Sequence, residues 1–144
     1  MANVKPTPDG YHTVTPYLKV KGVAGLIDFL KQAFDAVETE RLLGPDGKVG
    51  HAEVRIGDSV VMMGEAPGDP MPAMLYVYVD DADASYKRAL EAGATSLAEP
   101  EDQFYGDRTA GVKDPFGNCW YVAERQEDVS PEELRRRAEA RAKS

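Results

Sequence analysis

His51 and Glu53 stand two residues apart in KVGHAEVRIG, and in an extended strand that spacing turns both side chains to one face. Such a pair can work as a general base, the carboxylate orienting the imidazole. It can equally be a structural hydrogen bond at a surface or dimer seam, and the structural role is the preferred reading. His12, the other of the two histidines, has no partner nearby in sequence and makes a poor metal ligand by itself. Asp107-Arg108 in QFYGDR offers a planar fork of donors to an anionic or carbonyl ligand, or else closes an internal salt bridge. Cys119, beside Trp120, reads as a small buried hydrophobe with no activating neighbour in sequence. The chain carries no Gly-rich phosphate loop, Ser-His-Asp order or CxxC pair.

Positioning these residues requires strands. HTVTPYLKV, His12 to Val20, has the β-branched and aromatic content of one. From Gly22 to Ala36, apolar residues at Val23, Leu26, Ile27, Leu30, Ala33 and Phe34 form the stripe of an amphipathic helix. Strands are expected at Val37–Leu43, Lys48–Ile56 and Ser59–Met63, separated by turns at Gly44-Pro45-Asp46-Gly47 and Gly57-Asp58. EAPGDPMP, with three prolines in eight residues, is an irregular linker. The order then recurs: strand Met74–Val79, helix Asp80–Ala92, short strand Thr95–Ala98, then Gln103–Lys113, a turn at Asp114-Pro115-Phe116-Gly117, and strand Asn118–Glu124. A β-α-β-β-β order thus occurs twice, about 58 residues apart. Ser130-Pro131-Glu132-Glu133 has the signature of a helix start, which makes the C-terminal segment a peripheral helix.

The 144 residues fit one domain or two small modules with a shared core, and 42% hydrophobic with 29% charged residues is ordinary globular composition. A formal charge of −8 argues against nucleic acid as a partner, since phosphate binding needs lysine and arginine. The basic run Arg135-Arg136-Arg137 reads as a solvated helix end whose cations complement the helix dipole. A single cysteine excludes an internal disulfide, and no apolar run reaches membrane-helix length. A cytoplasmic protein with no membrane partner is expected.

Four segments, TPYLKVKGVAGLIDFLKQAFDA, GPDGKVGHAEVRIGDSVVMM, LYVYVDDADASYKRALEAGA and QFYGDRTAGVKDPFGNCWYVAE, resemble the vicinal oxygen chelate superfamily of glyoxalases, bleomycin-resistance proteins and extradiol dioxygenases. Their pattern looks most like its PhnB-like branch, and they cover nearly all of Thr15 to Glu124. The resemblance implies an α+β fold of two βαβββ modules, with a curved mixed sheet around a cavity and helices on the convex side. It also implies a homodimer. Metal-dependent members hold a divalent ion, a Lewis acid toward adjacent substrate oxygens, on four ligands from the first and last strands of the modules. Those positions fall on Thr15, Met62, Met74 and Tyr121, a poor ligand set for hard divalent metals. Neither that metal nor any other cofactor is expected.

The implied organisation is a flexible leader (1–11), module one (12–65), a linker (66–73), module two (74–126) and a C-terminal helical appendage (127–144). Strand alternation expects Thr13, Thr15, Tyr17, His51, Glu53, Arg55, Met62, Met74, Tyr76, Tyr78, Arg108, Cys119 and Tyr121 on the cavity face. Of these, Tyr17, Arg55, Met62, Met74, Tyr76, Tyr78, Arg108 and Tyr121 are the expected ligand contacts, and His51 and Glu53 the catalytic candidates. Aromatic and thioether side chains suit a small-molecule pocket, though they could also fill a dry core. Three functions stay open. The leading one is a binding or sequestering protein for a small aromatic or planar molecule. The others are an isomerase or lyase with an atypical site, and a structural dimer with a closed cavity.

Overall fold

The computed structural model describes residues 4–143, so Met1, Ala2 and Asn3 of the expected leader, and Ser144, lie outside the described residues. The chain divides into two compact units, one running up to Ala73 and including Pro115–Gly117, the other formed by Met74–Asp114 and the chain from Asn118. The first carries β1 (Tyr17–Val20), α1 (Val23–Phe34), β2 (Val37–Leu43), β3 (Val49–Ile56) and β4 (Ser59–Glu65). The second carries β5 (Met74–Tyr78), α2 (Ala82–Glu91), β6 (Thr95–Asp102), β7 (Asp107–Lys113), β8 (Cys119–Arg125) and α3 (Pro131–Ala142). The fold is α+β, with each sheet four-stranded and mixed. The strand orders are β1-β4-β3-β2 and β5-β8-β7-β6, the first pair of each parallel and the rest antiparallel.

The helix stripe accounts for the first core. Val23, Leu26, Ile27, Leu30, Ala33 and Phe34 are all buried, and α1 lies along β3 and β4. Leu18, Val20, Ala52, Val54, Val61 and Met63, the alternate residues of the strands, complete that interior. Each large aliphatic side chain withdrawn from water contributes about 1.5–3 kcal/mol, so one helix anchors its whole sheet. In the second unit, Trp120 and Val122 of β8 and Ala110 and Val112 of β7 are buried on the face that α2 covers.

The repeat extends to single atoms. Glu65, at the end of β4, accepts from the backbone N–H groups of Gly22 and Val23 at the start of α1. Glu124, on β8, accepts from Ala82 N–H at the start of α2. In each unit the last strand supplies a carboxylate to the unpaired N–H groups of its own helix, where negative charge is favoured.

The elements depart from expectation at three places. The first strand begins at Tyr17 rather than His12, so Thr13 and Thr15 precede it; the Thr15 hydroxyl donates to the His12 carbonyl at 3.3 Å instead. β6 runs on to Asp102 through Pro100, tolerated on this edge strand with shifts of register on either side of Ala98. β7 starts at Asp107, because Gln103 to Gly106 form a turn that Gly106 completes with φ +98°. At the C-terminal helix, Ser130 accepts from Glu133 N–H at 3.1 Å. The helix buries no residue and is tied down by Arg137, which donates to the Phe104 carbonyl and pairs with Glu127 and Glu133.

Candidate functional site

In the first unit the chemistry gathers on the sheet face turned away from α1. Antiparallel register sets Glu53 opposite Met62, and parallel register sets Tyr17 opposite Met62 as well. His51 lies opposite Gly64. That glycine is required: a Cβ there would stand 2.6 Å from Tyr17 Oη, so only a bare backbone lets the phenol lie across β4. Tyr17 thereby reaches His51 Nδ1 at 3.1 Å, the two rings tilted at 5.6 Å between centroids. The other ring nitrogen, Nε2, is 2.8 Å from Glu53 Oε2. Because the carboxylate can only accept, the proton belongs on Nε2, and Nδ1 accepts from the Tyr17 hydroxyl.

Glu53 is 6% exposed and receives a second hydrogen bond from the Tyr11 phenol, in the chain that precedes β1. Burial alone would raise its carboxyl, but the hydrogen bonds from His51 and Tyr11 outweigh it and hold Glu53 below the ordinary glutamate range. The Tyr11 phenol is pushed up, chiefly by donating to that carboxylate. A fourth residue arrives by an irregularity. Val37 and Glu38 pair with Arg55 and Val54, but a bulge at Thr39 moves the register by one, so Glu40 lies opposite Glu53. Without it Glu40 would oppose Ala52 on the α1 side. Thr39 Oγ1 donates to the Glu53 carbonyl at 3.2 Å within that bulge. Glu40, His51 and Glu53 thus present ligand atoms within 4.8 Å of one another. Neither Glu40, Gly64 nor Tyr11 was singled out in the sequence; an alternation count breaks at the bulge and gives a glycine no function.

The face of the second sheet turned away from α2 is aromatic. Met74, Tyr76 and Tyr78 project from β5 with 66%, 41% and 68% of their surface exposed. Tyr76 and Tyr78 meet edge to face, with centroids 5.5 Å apart. Tyr76 donates to Asp107 at 2.8 Å, and burial together with Tyr105 and Asp107 pushes its phenol far above its usual range, so it stays protonated. Tyr121 lies over Gly111, where a Cβ would come within 2.7 Å of the ring. Cys119 shares this face, opposite Met74 and Lys113.

Arg108 does not. It pairs with Glu124 across the sheet and extends on the α2 side, its guanidinium held by Asp83 at 2.7 Å and Asp102 at 3.1 Å. Strand alternation expects it on the cavity face, but the even-numbered residues of β7, Arg108, Ala110 and Val112, turn to α2, while Gly111 lies beneath Tyr121. Arg55 keeps its expected face, exposed beside the leader and near Gly10. His12 sits outside any cluster, its ring 3.1 Å from the Asp58 carbonyl.

The four residues that the resemblance assigns to a metal make a poor set for a divalent ion. Thr15 is off the strand with its hydroxyl engaged by His12, Met62 and Met74 offer only thioethers, and Tyr121 a phenol.

The doubled β-α-β-β-β order with one parallel pair per sheet defines the fold of a glyoxalase-type protein. The model of the Glyoxalase/Bleomycin resistance protein/Dioxygenase superfamily matches residues 11–122, and the chain belongs to this family. The uncharacterized protein Rv0887c of Mycobacterium tuberculosis is 40% identical over 134 residues, covering 84% of this chain and 79% of its own. TioX from Micromonospora sp. ML1 shares the fold with a TM-score of 0.69 at 22% identity, over 79% of this chain and 98% of TioX. TnmS3, an antibiotic binding protein from Streptomyces sp. CB03234, shares it with a TM-score of 0.63 at 21% identity, over 80% and 96%. No helix among the described residues is long and apolar enough to cross a membrane.

Proposed function

We propose that this protein binds and sequesters a small aromatic or planar molecule, without the metal that its enzymatic relatives use at the family positions. The observation that carries this is the exposure of Met74, Tyr76 and Tyr78 on the helix-free face of the second sheet. Adjacent large apolar side chains left in water mark a surface that something covers. Tyrosine suits the task, offering a flat apolar ring with a polar end. Its anchored neighbour Tyr76, tied to Asp107, gives that surface a fixed element. The naming of TnmS3 as an antibiotic binding protein agrees with this reading. On the same grounds of resemblance, we place the chain in the PhnB-like branch and assign it a homodimeric state. The lone cysteine fits a cytoplasmic setting.

A second reading has its own observation. The chain of hydrogen bonds Tyr17–His51–Glu53–Tyr11 resembles a proton relay, and supports an isomerase or lyase in which Tyr17 or His51 moves a proton. Thermal shift and calorimetry against quinolines, naphthalenes and indoles test the first reading. A ligand at a hundredfold excess over its Kd adds about 2.7 kcal/mol of stability, and Tyr78→Ala should weaken that binding. Sedimentation would then report the third possibility: a stable dimer and no ligand from a broad panel would mean that a second chain covers the aromatic face, and would overturn sequestration.

A further inference from the structure

We propose that Glu40, His51 and Glu53 form a binding site for a first-row divalent cation, zinc being the probe of choice, on strands β2 and β3 and apart from the superfamily's own metal positions. The three donors lie within 4.8 Å of one another before any ion has drawn them together. Bonds of about 2.1 Å place neighbouring ligands roughly 3–4 Å apart. His51 Nε2 and Glu53 Oε2, at 2.8 Å, are already near that separation. Only Glu40 must move, and Glu40 is exposed.

Charge supplies an independent reason. Glu40 and Glu53 face each other directly across the β2–β3 ladder, a pairing that is destabilising for like charges. Among the described residues Glu40 has no hydrogen-bond or ion-pair partner, and the groups that hold the buried Glu53 carboxylate are the Tyr11 phenol and the His51 imidazole. A divalent cation would neutralise both carboxylates at the point where a bulge at Thr39 has brought them together.

The surroundings of the ligands are those a bound ion needs. Tyr11 holds the second oxygen of Glu53, and Tyr17 is 3.1 Å from the second nitrogen of His51. With a cation on Nε2, the imidazole proton moves to Nδ1 and donates to Tyr17 Oη, so both fixed ligands keep an outer partner. One imidazole and two carboxylates with no thiolate suit zinc, manganese, nickel or iron. The other clustered carboxylates, Asp81, Asp83 and Glu124, are just as close together but each already serves a purpose: Asp81 caps Ala84 N–H, Glu124 caps Ala82 N–H and Asp83 holds Arg108. They make a control of equal proximity.

The test is calorimetric titration of untagged, chelator-treated protein with zinc alone, with the visible absorption of added cobalt reporting ligand type. A single ion per chain should bind the wild type. Glu40→Gln, His51→Gln and Glu53→Gln should each abolish saturable binding, and Tyr11→Phe should weaken it about 10-fold. Asp83→Asn and His12→Gln should leave it unchanged. Failure of the wild type to saturate below about 1 mM zinc would overturn the site, as would full affinity in Glu40→Gln, an exposed substitution that leaves the fold intact. Because no aromatic ligand is present, either result is independent of the sequestration reading.

Discussion

Replacing Asp114 by alanine should bring the protein close to unfolding. The carboxylate is 3% exposed and accepts hydrogen bonds from Asn118 N at 3.0 Å, Asn118 Nδ2 at 3.1 Å and Trp120 Nε1 at 2.8 Å. Asn118 and Trp120 are themselves fully buried, so water cannot readily replace the lost acceptor. A buried donor left without a partner costs about 1–3 kcal/mol. Allowing for some relaxation, the three together should cost about 3–6 kcal/mol, a large share of the roughly 5–15 kcal/mol that holds a domain folded. At about 2–4 °C per kcal/mol for a chain of this size, the melting temperature should fall by roughly 10–20 °C. Urea unfolding followed by far-ultraviolet circular dichroism, which needs no tryptophan, measures this directly. Asp114→Asn keeps one accepting oxygen and should lose less. A loss below about 1 kcal/mol in Asp114→Ala would refute the argument. So would a double-mutant cycle with Trp120→Phe showing no coupling, because the two side chains share a hydrogen bond.

Three further outcomes follow from the same geometry. Glu53→Gln should destabilise by about 1–3 kcal/mol at pH 7. Since the native carboxyl sits below its usual range, wild-type Glu53 stabilises fully above the unfolded value and loses that contribution as pH falls through the folded one; the gap in urea midpoints should therefore close on acidification, and a gap constant with pH would refute the assignment. Gly111→Ala, whose new methyl group would stand 2.7 Å from the Tyr121 ring, should displace the ring, cost about 1–3 kcal/mol and weaken any aromatic ligand found by calorimetry. Arg108→Ala should leave such binding untouched while lowering the melting temperature slightly, because its partners Asp83 and Asp102 lie on the α2 side.

Periodicity made the modules legible. The apolar stripe from Val23 to Phe34 had to be buried on one side, and the alternation in HAEVRI had to turn His51 and Glu53 the same way. DPFGN was visible as a turn, yet its function as the acceptor for Trp120 needed coordinates, because the hydrogen bond joins side chains that sequence cannot orient. Arg108 falls on the other face for a related reason: alternation says which residues of a strand share a face but not which face a helix covers, and the contact with Asp83 of α2 decides that.

The local code by itself determined the doubled β-α-β-β-β order, the buried face of the first helix and the kinship that follows from them, since each depends on neighbours within a turn or a strand. The convergence of Tyr11, Tyr17, Glu40, His51 and Glu53 was decided only in three dimensions. Tyr17 meets a histidine 34 residues away, across a glycine, and Glu40 turns toward them by a single bulged residue. Register between distant strands is set by the packing of the entire sheet, and no window of sequence contains it.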